Sequence, residues 1–154
     1  MPNSQNSSQN TFMLEALLQA KTAFENNEVP IGCVITHNQK IIAKTHNLCK
    51  KYNNQTAHAE ILAINLACDQ LKTATLENCD IYITLEPCPM CLMAISYARI
   101  KRIYYGASDE KFGAVESNPL YAFKNLAIFK SEIYSGINAE ESKQLIQQFF
   151  KNKR

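Results

Sequence analysis

Apolar residues recur at helical spacing early in the chain, where Met13, Ala16, Leu17, Ala20 and Phe24 line one face of an amphipathic helix ending near Asn26-Asn27. The period then shortens to that of extended chain. Ile31 to Thr36 and Lys40 to Thr45 are β-rich runs separated by His37-Asn38-Gln39, a pattern that predicts a hairpin. Asn47 to Thr56 is polar and reads as a loop, and a helical run from Ala59 to Leu71 follows. A short apolar strand is expected at Ile81 to Leu85, a helix over Cys88 to Ala98, and further strands at Ile103 to Tyr105 and near Ile133 to Tyr134. The last helix, Ala139 to Lys151, should take Asn138 as its cap with Glu141 in the first turn, and bury Leu145, Ile146, Phe149 and Phe150. Strands alternating with helices after one hairpin predict a mixed three-layer α/β/α domain over 11–154.

Composition changes this picture little. The chain has 154 residues, enough for one domain with a real core. Its first ten residues are rich in Ser, Asn and Gln and predict a disordered tail over 1–10. That stretch is polar where a secretory signal would be basic and then apolar, and together with six cysteines it points to a reducing, cytoplasmic setting. No run approaches membrane-spanning length, so no membrane partner is expected. The net charge of +2 is too small to demand a polyanionic partner. Its distribution is uneven, acidic at Glu15, Glu25 and Glu28 and basic towards Lys124, Lys151, Lys153 and Arg154. This allows a phosphate-binding face, although composition alone favours a solvated surface.

The chemistry concentrates in two short strings, His58-Ala59-Glu60 and Glu86-Pro87-Cys88-Pro89-Met90-Cys91. One imidazole and two thiolates suit Zn²⁺, and three protein ligands leave the fourth tetrahedral position open for water, which is the mark of a catalytic rather than a structural site. The spacing of Cys88 and Cys91 puts both sulfurs on one side of a helix start, where free N–H groups favour thiolate over thiol. Pro87 and Pro89 fit the turn entering that helix, and the strand Ile81 to Leu85 would deliver Glu86 and Cys88 to the metal from its carboxyl end. Glu60 stands too close to His58 along a helix to ligate beside it, so its carboxylate is left as a proton carrier. A structural zinc site would want a fourth ligand, and His37 in a turn and His46 at a strand end are poor candidates. Cys33 and Cys68 fall in apolar runs, as small core-filling residues do.

His-x-Glu followed by Pro-Cys-x-x-Cys is the known signature of zinc-dependent nucleobase deaminases. The flanking strings narrow the resemblance: Glu28-Val29-Pro30-Ile31-Gly32, Asn47, Thr56-Ala57-His58-Ala59-Glu60, Tyr82 to Cys88, Ser96 to Ile100, Tyr105-Gly106-Ala107-Ser108-Asp109 and Phe149-Phe150. In these the chain resembles the bacterial tRNA adenosine deaminases, from about Thr11 to the carboxyl terminus. The resemblance implies a cytidine deaminase-like α/β/α fold with a mixed five-stranded sheet, one Zn²⁺ on His58, Cys88 and Cys91, Glu60 as the catalytic proton shuttle, and a homodimer acting on the wobble adenosine of a tRNA anticodon loop. It also implies base contacts from Asn47 and the Ala59 backbone, a pocket wall at Ile31, and Asp109 near the sugar of a neighbouring nucleotide. The chain departs from the family pattern at Asn54-Gln55, where Asp-Pro is usual, at Ala114-Val115-Glu116-Ser117, where an Ala-Gly-Ser stretch is common, and at Cys33, where alanine is usual. Free-base guanine deaminases also carry a string like Cys88 to Leu92, so a free-base or nucleotide deaminase of guanine or cytosine type is the alternative.

Overall fold

A computed structural model describes residues 4–118 and 129–153. Lys124 and Arg154, counted above among the basic residues, lie outside that range. The elements run α1 (Ser4–Glu25), β1 (Gly32–His37), β2 (Lys40–His46), α2 (Ala59–Leu71), β3 (Cys79–Leu85), α3 (Pro89–Ala98), β4 (Arg102–Ala107), β5 (Glu132–Tyr134) and α4 (Ala139–Lys151). The five strands form one mixed sheet in the order β2-β1-β3-β4-β5. β1 is antiparallel to both β2 and β3, whereas β3, β4 and β5 run parallel. A two-residue turn closes the β1-β2 hairpin, with Asn38 and Gln39 both at positive φ (51° and 60°), the geometry that matches the twist of the flanking strands.

Strand alternation builds the three layers. Cys33, Ile35, Ile81, Ile83, Ile103 and Tyr105 point to one face and pack with Ala59, Ala63 and Ala67 of α2 and Leu92, Ile95 and Ala98 of α3. Their neighbours Val34, Tyr82 and Tyr104 point to the other face, against Met13, Ala16 and Leu17 of α1. On that face Tyr82, Tyr104 and Tyr134 stand in register across three strands, with ring centroids 4.5 and 4.9 Å apart, and Phe12 closes the row at 5.2 Å from Tyr82. Each such ring pair adds about 0.5–1.5 kcal/mol beyond the area it buries.

Three expectations are corrected. The segment 4–10, expected as part of a disordered tail, is helical. Its composition cannot drive a core, but Gln9 Nε2 donates to the Tyr104 hydroxyl at 3.3 Å, tying the helix extension to the tyrosine row. At α4, Phe149 is buried, Leu145 and Ile146 are half-buried, and Phe150 is 49% exposed rather than buried. Adjacent helical residues point about 100° apart, so only one of the two phenylalanines can face the sheet. The helix starts where expected, but Asn138 has φ 53° and bonds the Glu141 carboxylate at 3.3 Å instead of capping the backbone.

Two glycines separate steric from conformational need. A Cβ at Gly32 would stand 1.8 Å from the Ala16 carbonyl oxygen and 2.6 Å from the Ala20 nitrogen, because β1 passes against the backbone of α1. Gly136 has φ +77° and nothing within 4 Å. Gly32→Ala should therefore cost about 3 kcal/mol or more, as overpacking against backbone does. Gly136→Ala should cost about 1–2 kcal/mol from left-handed strain alone. Urea unfolding of the two variants beside the parent measures the difference.

Candidate active site

The site lies at the carboxyl ends of β3 and β4, where Leu85 pairs with Ala107, and two helices begin there. His58 is the N-cap of α2 and Cys88 the N-cap of α3, both in extended conformation, and neither side chain caps its helix. These positions ordinarily hold Ser, Thr, Asp or Asn bonded to the first turn. Here the side chains turn to each other instead. His58 Nδ1 lies 3.7 Å from Cys88 Sγ and 3.4 Å from Cys91 Sγ, and all three ligand atoms fall within 4.8 Å of one another. In a tetrahedral site with metal–sulfur and metal–nitrogen bonds of about 2.3 and 2.05 Å, nitrogen and sulfur stand about 3.5 Å apart. The triad therefore has the dimensions and donor chemistry to hold a metal ion.

Its protons are strongly coupled. The Cys91 thiol and then His58 hydrogen-bond Cys88 and hold its thiol down to about 4, against a burial effect that would raise it. Cys91 is pushed up, first by Cys88 and then by burial, and His58 is raised chiefly by its bond to Cys88. Glu60, in the first turn of α2, is 3% exposed, and its Oε1 has no hydrogen-bond partner among the described residues. Burial raises its carboxyl above the usual range, and a bound cation would act in the opposite direction. A buried carboxylate oxygen without a partner is costly, and it is retained where a ligand or water supplies the missing bond. Cys33 sits close by, fully buried and kept as a thiol by burial and by the Glu60 charge, in keeping with a core filler.

His58, Glu60 and Cys88 open into a cavity of about 1650 Å³. Small-molecule pockets are usually about 300–1,000 Å³, so this one has room for more than a single nucleobase. Asn47, Ile31 and Asp109 line it. Ala59 does not; it is fully buried, and its carbonyl accepts the Thr45 hydroxyl at 2.7 Å, leaving only its N–H at the helix start to face a ligand. Asn47 is 5% exposed, and its Oδ1 accepts the Cys49 thiol at 3.3 Å. Asp109 Oδ1 accepts the backbone N–H groups of Lys111 and Phe112, both at 3.1 Å, so this carboxylate organises its own turn.

Two further carboxylates shape the cavity, and residue type and spacing did not single out either for this role. Glu28, grouped above with surface acids, is 3% exposed and accepts the N–H groups of Lys50 at 3.2 Å and Lys51 at 2.8 Å, fixing the loop that carries Asn47. Glu86 was expected to reach the metal with Cys88. It instead turns away from the triad and accepts the N–H groups of Asp109 (3.2 Å), Val115 (3.1 Å), Glu116 (3.0 Å) and Ser117 (3.0 Å) and the Ser117 hydroxyl. Burial alone would raise its carboxyl, but the Ser117 hydroxyl and the N–H groups of Ser117, Glu116 and Asp109 outweigh it and hold it below the usual range. Gly113 allows this approach, since a Cβ there would stand 2.3 Å from Glu86 Cδ. Apart from the Ser117 hydroxyl, the partners of both carboxylates are main-chain groups, which leave no residue-type signal; Gly113 is the residue whose type could have pointed to a close approach.

Comparison with known proteins agrees with this geometry. The family model of MafB19-like deaminases matches residues 6–154. A tRNA-specific adenosine deaminase of Rickettsia felis is 52% identical over 92% of this chain and 100% of its own length. A solved structure from a study of A-to-I editing by tRNA:A34 deaminases at the wobble position of transfer RNA superposes with a TM-score of 0.84 at 44% identity, covering 88% of this chain and 98% of that one. The guanine deaminase from Nitrosomonas europaea, at TM-score 0.78 but 19% identity over 91% of this chain and 83% of that one, shares the fold alone. Identity at the level of the Rickettsia felis enzyme, carried over nearly the whole of both chains, makes this protein a member of the tRNA-specific adenosine deaminase family.

Proposed function

We propose that the protein hydrolyses the 6-amino group of the wobble adenosine in a tRNA anticodon loop, giving inosine and ammonia. The observation that carries the chemistry is the buried, partnerless oxygen of Glu60 beside the His58-Cys88-Cys91 triad at the base of a cavity wider than one base needs. Membership of the family supports adenosine in tRNA as the substrate. The triad has the donor set of a catalytic zinc site, and a zinc ion held there supplies Lewis acidity that makes water a nucleophile near neutral pH. Glu60 takes one proton from the water that attacks C6 and gives it to the ring nitrogen N1; it then takes the remaining proton from the new C6 hydroxyl and passes it to the amine, which leaves as ammonia as the C6 carbonyl forms. Asn47 orients the base by an amide hydrogen bond and Ile31 walls the pocket, with the Ala59 N–H as a further donor and Asp109 bordering the neighbouring sugar. An anticodon loop suits such a site because its bases are already free of pairing, so extrusion costs little.

A homodimer fits the apolar side chains left exposed on the outer helices: Leu66 at 50% on α2, and Met90 at 36% and Tyr97 at 64% on α3. The setting we propose is the cytoplasm, in keeping with six cysteines that are all unpaired. No helix among the described residues is long and apolar enough to cross a membrane.

Zinc analysis should give one ion per chain, lost in Cys88→Ala and Cys91→Ala because two remaining ligands cannot hold an open site. Glu60→Ala should keep the zinc and lose about 10²–10⁴-fold in turnover. Normal activity in that variant would end the proton-shuttle role. Asn47→Ala should lower kcat/KM by about 5- to 150-fold, the worth of a buried hydrogen bond, with little change in Tm. A fall in Tm that accounts for the activity loss would assign Asn47 to the loop rather than the base. Stem-loop binding should weaken steeply with salt, and neutralising Lys151, Lys153 and Arg154 should flatten that slope. Ready deamination of guanine or cytosine, with an adenosine stem-loop neither bound nor converted, would replace the tRNA reading by the free-base one.

A further inference from the structure

Phe112 is 57% exposed, yet it is not a loosely held surface residue. Its N–H and that of Lys111 are fixed on Asp109 Oδ1, the Asp109 N–H is fixed on Glu86 Oε1, and the following Ala114 N–H bonds the Pro87 carbonyl at 2.9 Å. Gly113 lets this turn press against Glu86 at a distance no other residue would permit. The turn is thus bonded directly to residues 86 and 87, next to Cys88, and it holds an aromatic ring in the wall of the cavity that contains His58 and Glu60.

Exposing a phenylalanine this way forfeits the burial that usually justifies one, and the backbone bonds that hold it would be the same with any side chain. Its surroundings select among ligands. Lys111 Nζ stands 5.0 Å from the ring centroid, and the cavity is lined by Lys50, Lys143 and Lys153 as well as by carboxylates, of which Glu28, Glu86 and Asp109 are engaged by backbone N–H groups. An apolar face with a cation beside it suits a ligand that is flat and aromatic in one part and anionic in the next. A polynucleotide has that alternation. Free adenosine, filling only the base of the cavity, does not.

We propose that Phe112 is a stacking platform for the base of a nucleotide adjacent to the one being deaminated, with Lys111 set to meet the neighbouring phosphate. This rests on the tRNA reading above and assigns a residue to its preference for a polynucleotide over a nucleoside. Glu86 and Gly113 act behind it as positioning residues.

Steady-state kinetics of the zinc-loaded protein on an adenosine-containing RNA stem-loop, with 2-aminopurine on the 5′ or the 3′ side of the target, tests this. Phe112→Ala should raise KM for the stem-loop by about 5- to 150-fold, the worth of one base stacked on an aromatic ring, with the loss falling on KM rather than kcat. The ratio of kcat/KM for the stem-loop to that for free adenosine should fall with it. Phe112→Trp should restore both, and Phe112→Leu, equally apolar but without a π face, should not. In one of the two labelled substrates, binding to the parent and to Phe112→Trp should quench 2-aminopurine fluorescence, and binding to Phe112→Ala should not. A Phe112→Ala protein whose stem-loop KM stays within about twofold of the parent, or a Phe112→Leu protein equal to Phe112→Trp, would overturn the assignment. A parent protein that converts adenosine but not the stem-loop would instead overturn the tRNA reading, and the stacking role with it.

Discussion

Glu86 is 2% exposed, and its carboxylate is satisfied by hydrogen bonds from four backbone N–H groups and one hydroxyl, all from residues 109–117. Each hydrogen bond to a charged group contributes about 1.5–3 kcal/mol, and an ion left buried without such bonds costs several. Intermediate states are therefore disfavoured: the loop either closes on the carboxylate with most of its donors or leaves it to be hydrated. Because Glu86 sits between β3 and Cys88, that same closure fixes the cavity wall relative to the metal-capable triad. Glu28 does the corresponding work for the facing loop through Lys50 and Lys51. The two walls that a substrate would meet are thus each set by a buried carboxylate whose hydrogen bonds go to the loop it holds.

The triad makes the complementary trade. His58 and Cys88 occupy helix N-caps without capping, which forgoes about 0.5–2 kcal/mol at each helix start, and Glu60 leaves a buried oxygen without a partner. These departures coincide where the three metal-capable atoms converge, and a ligand at that point would supply the bond that Glu60 Oε1 lacks. Departures from local rules concentrated at one point mark a functional centre in an otherwise consistent fold.

The layers and the triad were legible in the sequence because their signals are local. Alternation in Ile81 to Leu85 and around Ile103 sorted the two faces of the sheet, and His58 and Cys88 marked two helix starts to within a residue. What could not be read depended on distant partners or on helical phase. Glu86 was expected beside the metal because it leads into Cys88, and nothing in its neighbours announces donors more than twenty residues on. The segment 4–10 looked disordered because its composition builds no core, while a bond from Gln9 to Tyr104 links it to the sheet. Phe149 and Phe150 looked equally apolar, and helical phase separated them.

The positions where this chain departs from the family pattern show what matters in those loops. At Asn54, where aspartate is usual, Oδ1 still accepts the Thr56 N–H at 2.9 Å and its hydroxyl at 2.8 Å, so the turn leading into His58 keeps its acceptor without a charge. Val115, Glu116 and Ser117 each contribute a backbone N–H to Glu86, which any residue but proline could supply. Differences in side-chain identity at Val115 and Glu116 leave those bonds intact, whereas at Ser117 the hydroxyl adds a side-chain bond of its own. What the loop cannot exchange is Gly113, because the carboxylate occupies the space a Cβ would need. A substitution in this region is therefore to be judged by whether it removes a donor, an acceptor or that gap, and by this measure the departures preserve the cavity.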